Sequence, residues 1–245
     1  MVQAIELFTC PVTATELPRL EASYIPRLHS AEQARYRLFA PARRRLEWLA
    51  GRALTLEALK QLLGRINAEA LRTGSAGNIV YTDAPLTLSL SHSHGLLALA
   101  VAAMPVGVDV ERLRSRSLMA HAERVFMAEE AAHLARTRDD IERLRLFYRY
   151  WTLTEAVGKA AGISIWEGLA ASRFDLAART PGFICTKERL AGPWRFWSAD
   201  IDVHWQLAVA ARGAPVAAAL HAWRIPLSGV WTKQALDGFS SFSSP

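Results

Sequence analysis

The stretch "VGVDVER", residues 106–112, decides how the rest of the chain is read. Its alternating valines predict a strand, and side chains two apart on a strand share a face. Asp109 and Glu111 therefore point the same way. Two carboxylates side by side in a half-apolar setting repel each other and lose hydration, so something must compensate, most simply a cation. The apolar run "GLLALAVAA" lies just upstream, and "MPVG" breaks it near residue 105.

A third acid stands downstream, in "FYRYWTLTEAVGKAAG", residues 147–162. The pattern predicts a helix over about 139–161 that stops at Gly162. Glu155 and Lys159 are four apart and share one helix face. Alone, they read as an exposed helix ion pair of little energetic weight. Joined to Asp109 and Glu111, Glu155 completes three carboxylates from two elements. That donor set suits a hard cation such as Mg²⁺, which keeps several waters and takes further ligands from substrate phosphates.

Two upstream segments carry phosphate-binding chemistry. "SLSHSHG", residues 89–95, offers Ser91, Ser93, His92 and His94, and hydroxyls and imidazoles are phosphate donors. A zinc reading lacks a Cys or a third His at recognisable spacing. Arg43, Arg44, Arg45 and Arg52 fall on the first long predicted helix, which starts at Pro41 and ends at Gly64. They read either as a solvated face or as holders of a phosphate.

With 245 residues the chain can bury one large core or two small ones. About half the residues are apolar and a fifth are charged, as in soluble globular proteins. No apolar run approaches the roughly 20 residues of a membrane span, and "MVQAIELFTC" is not a signal peptide. Cys10 and Cys185 are far apart and read as free thiols in a reducing cytoplasm. The net charge of +6 favours anionic partners without choosing among nucleic acid, phosphate-bearing molecules and acidic proteins.

The order of elements suggests two halves. "LAVAA" occurs at Leu99–Ala103 and again at Leu207–Ala211, and each copy ends a helix-then-strands block. The expected organisation is an α+β half over 1–104, a second over 105–235 carrying the metal site, and a disordered Ser-rich tail over 236–245.

"GVDVER", "FMAEE" and "FYRYWTLTEAVGKAAG", in that order and preceded by "SLSHS", resemble the Sfp-type 4′-phosphopantetheinyl transferases. The resemblance in motif order and spacing spans residues 89–165. It implies an α+β fold of two pseudo-symmetric halves with coenzyme A bound between them. It implies a Mg²⁺-dependent transfer of the 4′-phosphopantetheine arm of coenzyme A to a serine of an apo acyl- or peptidyl-carrier protein. The carrier would serve fatty-acid, polyketide or peptide synthesis. Asp109, Glu111 and Glu155 would hold the metal. Glu155 would also act as base, Glu130 would support it, and Lys159 would meet the leaving pyrophosphate oxygen. Asp109 and Lys159 would border the cofactor, Ser91 and His92 would bind its phosphates, and Arg45 and Arg52 would lie near the nucleotide. The implied protein is a cytoplasmic monomer without nucleic-acid or membrane partners. Thr154 stands where this family has a lysine, and Ser89 where it has an asparagine. The missing lysine motivates the alternative of a non-catalytic relative that binds carrier or coenzyme A without transfer.

Overall fold

A computed structural model describes residues 4–75, 77–114, 118–226 and 234–244, with backbone alone at 118–121 and 234. In chain order the elements are β1 (Ile5–Pro11), α1 (Leu17–Tyr24), α2 (Ser30–Arg37), α3 (Ala42–Leu63), β2 (Leu71–Thr73), β3 (Ile79–Tyr81), β4 (Thr87–Ser93), β5 (Leu96–Ala102) and β6 (Val106–Arg112). There follow α4 (Leu118–Val125), α5 (Ala128–Arg136), α6 (Asp140–Ala161), α7 (Ile165–Ala171), β7 (Ser172–Asp175), β8 (Gly182–Cys185), β9 (Trp194–Ile201), β10 (Trp205–Arg212), β11 (Leu220–Arg224), β12 (Gln234–Ala235) and β13 (Ser240–Ser243). The fold is α+β. The chain divides into two compact units, the first reaching to Ala103 and including Ala219–Asp237, the second comprising Met104–Ala218 and the residues from Gly238 on.

The first unit is a five-stranded sheet in the order β12-β11-β1-β5-β4. Its core lies between α3 and one sheet face, where Leu49, Leu56, Phe8, Cys10, Leu97 and Leu99 pack together. The β4–β5 hairpin turns at His94 and Gly95, both with positive φ (45° and 91°), the two-residue turn that matches strand twist. The second unit is a four-stranded sheet in the order β13-β9-β10-β6, with α6 packed on β6 and β10. Its core gathers Leu153, Ala156, Val157, Ala208, Ala210, Trp194 and Phe196.

The two units repeat one topology: β1, α3, β4, β5 in the first and β6, α6, β9, β10 in the second, with sheet orders β1-β5-β4 and β6-β10-β9. The repeated pentapeptide does not mark equivalent places. In β5 Leu99 and Val101 join the core under α3, whereas in β10 Ala208 and Ala210 join the core under α6. A one-residue offset on a strand exchanges its faces.

The expected boundary at 235 and the disordered tail are both corrected. β11 returns to the first unit and pairs in parallel with β1, from Ile5↔Leu220 to Thr9↔Arg224. Glu6 anchors it, accepting from Trp223 Nε1 at 2.8 Å and lying 2.8 Å from His221 Nδ1. The tail becomes a strand because one apolar residue sits among its serines. Phe242 is 6% exposed and stacks on Phe196 at 4.9 Å between ring centroids. The sequence also predicts one helix over about 117–135; the structure has two there, α4 and α5, separated before Ala128.

Gly107 explains the start of the motif. A Cβ there would lie 1.9 Å from the Ala156 carbonyl oxygen and 2.7 Å from the Ala160 backbone nitrogen. The α6 backbone thus rests directly on β6, with two alanines one turn apart forming its contact face. Gly107→Ala collides with backbone rather than with a movable side chain. It should cost about 3 kcal/mol or more, lowering Tm by roughly 6–12 °C. Gly182→Ala, where no atom lies within 4 Å, is the control and should melt like the parent.

Candidate active site

β6 and α6 bring four of the expected residues together. Gly107, Asp109 and Glu111 share the β6 face that meets α6. Asp109 is 4% exposed, and its Oδ1 accepts from Lys159 Nζ at 2.7 Å. The same ammonium donates to the Val108 carbonyl at 3.1 Å. Lys159 therefore pairs with a buried acid on the neighbouring strand, not as a surface partner of Glu155. An ammonium carries three N–H donors, so the third is left for a ligand.

Glu155 feels the other two acids. Burial raises its carboxyl above the ordinary carboxylate range and the Asp109 charge adds to this. Lys159 opposes the shift and Glu111 reinforces it. Among the described residues no three His, Cys, Asp or Glu side chains are gathered closely enough to hold a metal ion as they stand. The donor chemistry still fits a hard divalent cation. Three carboxylates share one electrostatic neighbourhood, and each added negative charge raises the cost of leaving it uncompensated.

Glycine fixes the geometry at the end of α6 as well. Gly162 is left-handed (φ 66°), Ile163 N donates to the Gly158 carbonyl at 2.9 Å, and Gly162 N donates to Lys159 O at 3.4 Å. This is a Schellman closure. A Cβ at Gly158 would approach the Ile163 carbonyl to 3.2 Å, which accounts for a glycine inside the helix.

Thr154 is 2% exposed, back-bonded to the Tyr150 carbonyl at 3.0 Å, and turned to Gly168 of α7.

The remaining expected residues are placed otherwise. Glu130 is 3% exposed, and its two oxygens accept backbone N–H groups of Phe174 (2.8 Å) and Met127 (3.1 Å). It is a brace joining the start of α5 to β7. Burial pushes its carboxyl up to about 7, the two backbone donors opposing this without prevailing.

Arg52 is not an open phosphate ligand. It is 5% exposed, its Nε donates to Glu32 at 2.8 Å, its Nη2 donates to Thr73 Oγ1 at 2.7 Å, and it stacks 4.5 Å over Trp48. Burial works against the Glu32 charge, yet Arg52 and Thr73 hold that carboxyl below its ordinary range.

Ser91 and His92, neighbours in sequence, leave β4 on opposite faces. Ser91 is 7% exposed, while His92 is exposed and lies 3.7 Å from Glu47. Glu47 also accepts from Arg43 Nε at 2.8 Å, so Arg43 and not Arg45 shares a carboxylate with His92. Arg45 lies 3.8 Å from Glu21. Glu32 and Glu21 were not legible as partners, because they lie 20 and 24 residues from the arginines they pair with, whereas Glu47 follows Arg43 at ordinary helix spacing.

The family model of the 4′-phosphopantetheinyl transferase superfamily matches residues 105–219. This segment, a little under half of the chain, is similar to that superfamily. It contains β6, α6 and all four residues just assembled, and it supports phosphopantetheine transfer in general terms. A search of the curated proteins found no match. Among the described residues no helix is long and apolar enough to cross a membrane.

Two measurements test these placements. Arg52→Met leaves Glu32 buried without its cation and should cost about 3–5 kcal/mol, read by chemical denaturation. If Arg52 were instead a solvent-facing ligand, stability would hardly change. For Glu130 the folded-state value of about 7 lies above the ordinary 4.5. Its contribution is fully present below pH 4.5 and is lost as pH rises through 7. Glu130→Gln does not titrate, so the melting temperature of the parent minus that of the variant should fall between pH 5 and pH 8. A rising difference would show that the backbone donors outweigh burial.

Proposed function

We propose that this protein moves the 4′-phosphopantetheine arm of coenzyme A onto a serine of an apo acyl- or peptidyl-carrier protein. The observation that carries this reading is the convergence of Asp109 and Glu111 with Glu155 and Lys159 inside the matched segment. Asp109, Glu111 and Glu155 are the residues that would hold Mg²⁺. When bound, the ion supplies charge stabilisation to the pyrophosphate oxygens.

The chain's own residues do the rest. The serine hydroxyl oxygen forms a bond to the β-phosphorus of coenzyme A, and its proton passes to a Glu155 carboxylate oxygen. The raised proton affinity of that carboxyl suits a base. The bond from the β-phosphorus to the bridging oxygen breaks, and adenosine 3′,5′-bisphosphate leaves. Negative charge builds on the departing oxygen, and the third N–H of Lys159 is placed to meet it. Asp109 and the Val108 carbonyl hold the other two, so the ammonium is oriented before the substrate arrives. The +6 net charge suits both an anionic cofactor and an acidic carrier.

The reading is tested by incubating the protein with Mg²⁺, coenzyme A and an apo carrier and weighing the carrier. A gain of one phosphopantetheine arm is expected, and an unchanged carrier mass overturns the proposal. Lys159→Met should then lower kcat by roughly 10²–10³-fold with a smaller change in KM for coenzyme A. It should also lower the melting temperature, since Asp109 loses its partner. A near-normal kcat with only the melting shift would reduce Lys159 to a structural partner of Asp109.

A further inference from the structure

A cavity of about 400 Å³ opens within the second unit between the first half of α6, the end of β9 and the start of β10. The tail that the sequence reads as disordered supplies one wall, through Gly238 and Ser240. Arg149 stands at the centre. Its Nε donates to Ser198 Oγ and its Nη2 to Ser240 Oγ, both at 3.1 Å, and the two hydroxyls lie 3.2 Å apart.

Both acceptors are neutral. Among the described residues no carboxylate lies within 4.0 Å of Arg149. A guanidinium has five N–H donors, so three remain beyond the two serine bonds. Arg149 is half-buried; burial lowers its proton affinity, and the Asp200 charge opposes this from beyond contact distance. The neighbouring arginine is differently served. Arg145 Nε lies 3.5 Å from Asp200 Oδ2, which balances its charge. Glu142, the other acid on the rim, is exposed to solvent. Asp200 thus serves two guanidiniums but contacts only Arg145, so Arg149 lacks an anion in contact, and Leu146 and Leu176 add an apolar wall.

We infer that this cavity is a binding site for a small organic monocarboxylate, held by Arg149 with the Ser198 and Ser240 hydroxyls, its carbon body against Leu146 and Leu176. A planar guanidinium and a carboxylate pair through two parallel N–H···O bonds. A single negative charge cancels Arg149. A phosphate dianion would overshoot and meet Asp200 and Glu142, so the acids on the rim select for the lower charge. The site is separate from the chemistry proposed above, since it uses neither Asp109, Glu111, Glu155 nor Lys159.

Butyrate, its neutral analogue butyramide and inorganic phosphate are the probes. Each is titrated into the full chain and followed by isothermal calorimetry and thermal shift. Butyrate should bind and raise the melting temperature, butyramide should bind at least about tenfold more weakly, and phosphate should bind more weakly than butyrate. Arg149→Met should weaken butyrate by tenfold or more, and Arg149→Lys should retain part of the affinity through its charge. Arg149 also clasps the tail, so Arg149→Met should melt earlier; the comparison of butyrate with butyramide in the unmodified protein decides the matter without it. Equal binding of butyrate and butyramide, phosphate that binds more tightly than butyrate and displaces it, no binding of butyrate, or butyrate binding that survives in Arg149→Met each overturns the assignment.

Discussion

The second unit depends on two backbones touching. At Gly107 the strand has no side chain, and the Ala156–Ala160 segment of α6 occupies the space where one would be. A helix normally rides above a sheet on a layer of side chains. Here that layer is locally absent, and α6 drops onto β6. Within that same segment Lys159 reaches across to Asp109 and to the strand carbonyl beside it. The contact also explains why a strand can bury an acid. In the first unit the helix-facing residues of the corresponding strand include Phe8 and Cys10, apolar and fully buried. In the second they are Gly107, Asp109 and Glu111. The same scaffold that elsewhere makes a hydrophobic core is here turned to charge, and the close helix supplies the cation that makes this tolerable.

How much of this was legible depended on distance along the chain. Asp109 with Glu111, and Glu155 with Lys159, could be paired from spacing alone, because strand and helix periods fix which neighbours share a face. Their meeting could be expected from charge. The actual partner of Lys159 could not, since Asp109 lies 50 residues away. Arg52 shows the same limit more sharply. A cluster of arginines on a helix reads as a phosphate site until Glu32, 20 residues earlier, is found buried against one of them. Glu130 reads as an acid in a motif, yet its oxygens are spent on backbone N–H groups that no side-chain pattern reveals. Ser91 and His92 fail for a simpler reason. Adjacent residues on a strand face opposite ways, so Ser91 is buried while His92 is exposed beside Glu47.

Repetition in the sequence and repetition in the fold are also distinct here. The strand-helix-strand-strand order recurs in both units with the same sheet order. The shared "LAVAA" nonetheless turns leucine and valine to the helix in one copy and alanine in the other. Small residues on β10 are what a close-lying α6 requires, whereas β5 meets α3 through Leu97, Leu99 and Val101. Packing distance, not ancestry, sets which residue faces in.

The parallel pairing of β11 with β1 has a consequence for how the chain is made. Ile5 finds its strand partner at Leu220, so the first unit is interrupted by nearly all of the second. During synthesis from the N-terminus, β1 must wait with an unfilled edge until about nine-tenths of the polypeptide has been made. An open edge is a template for wrong pairing, and contacts of such long separation form slowly. The second unit's main segment has all but its last strand in one uninterrupted stretch and can assemble first. The ribosome thus delivers the N-terminal sheet first, while the strand that completes its edge arrives after the main segment of the second unit has been made.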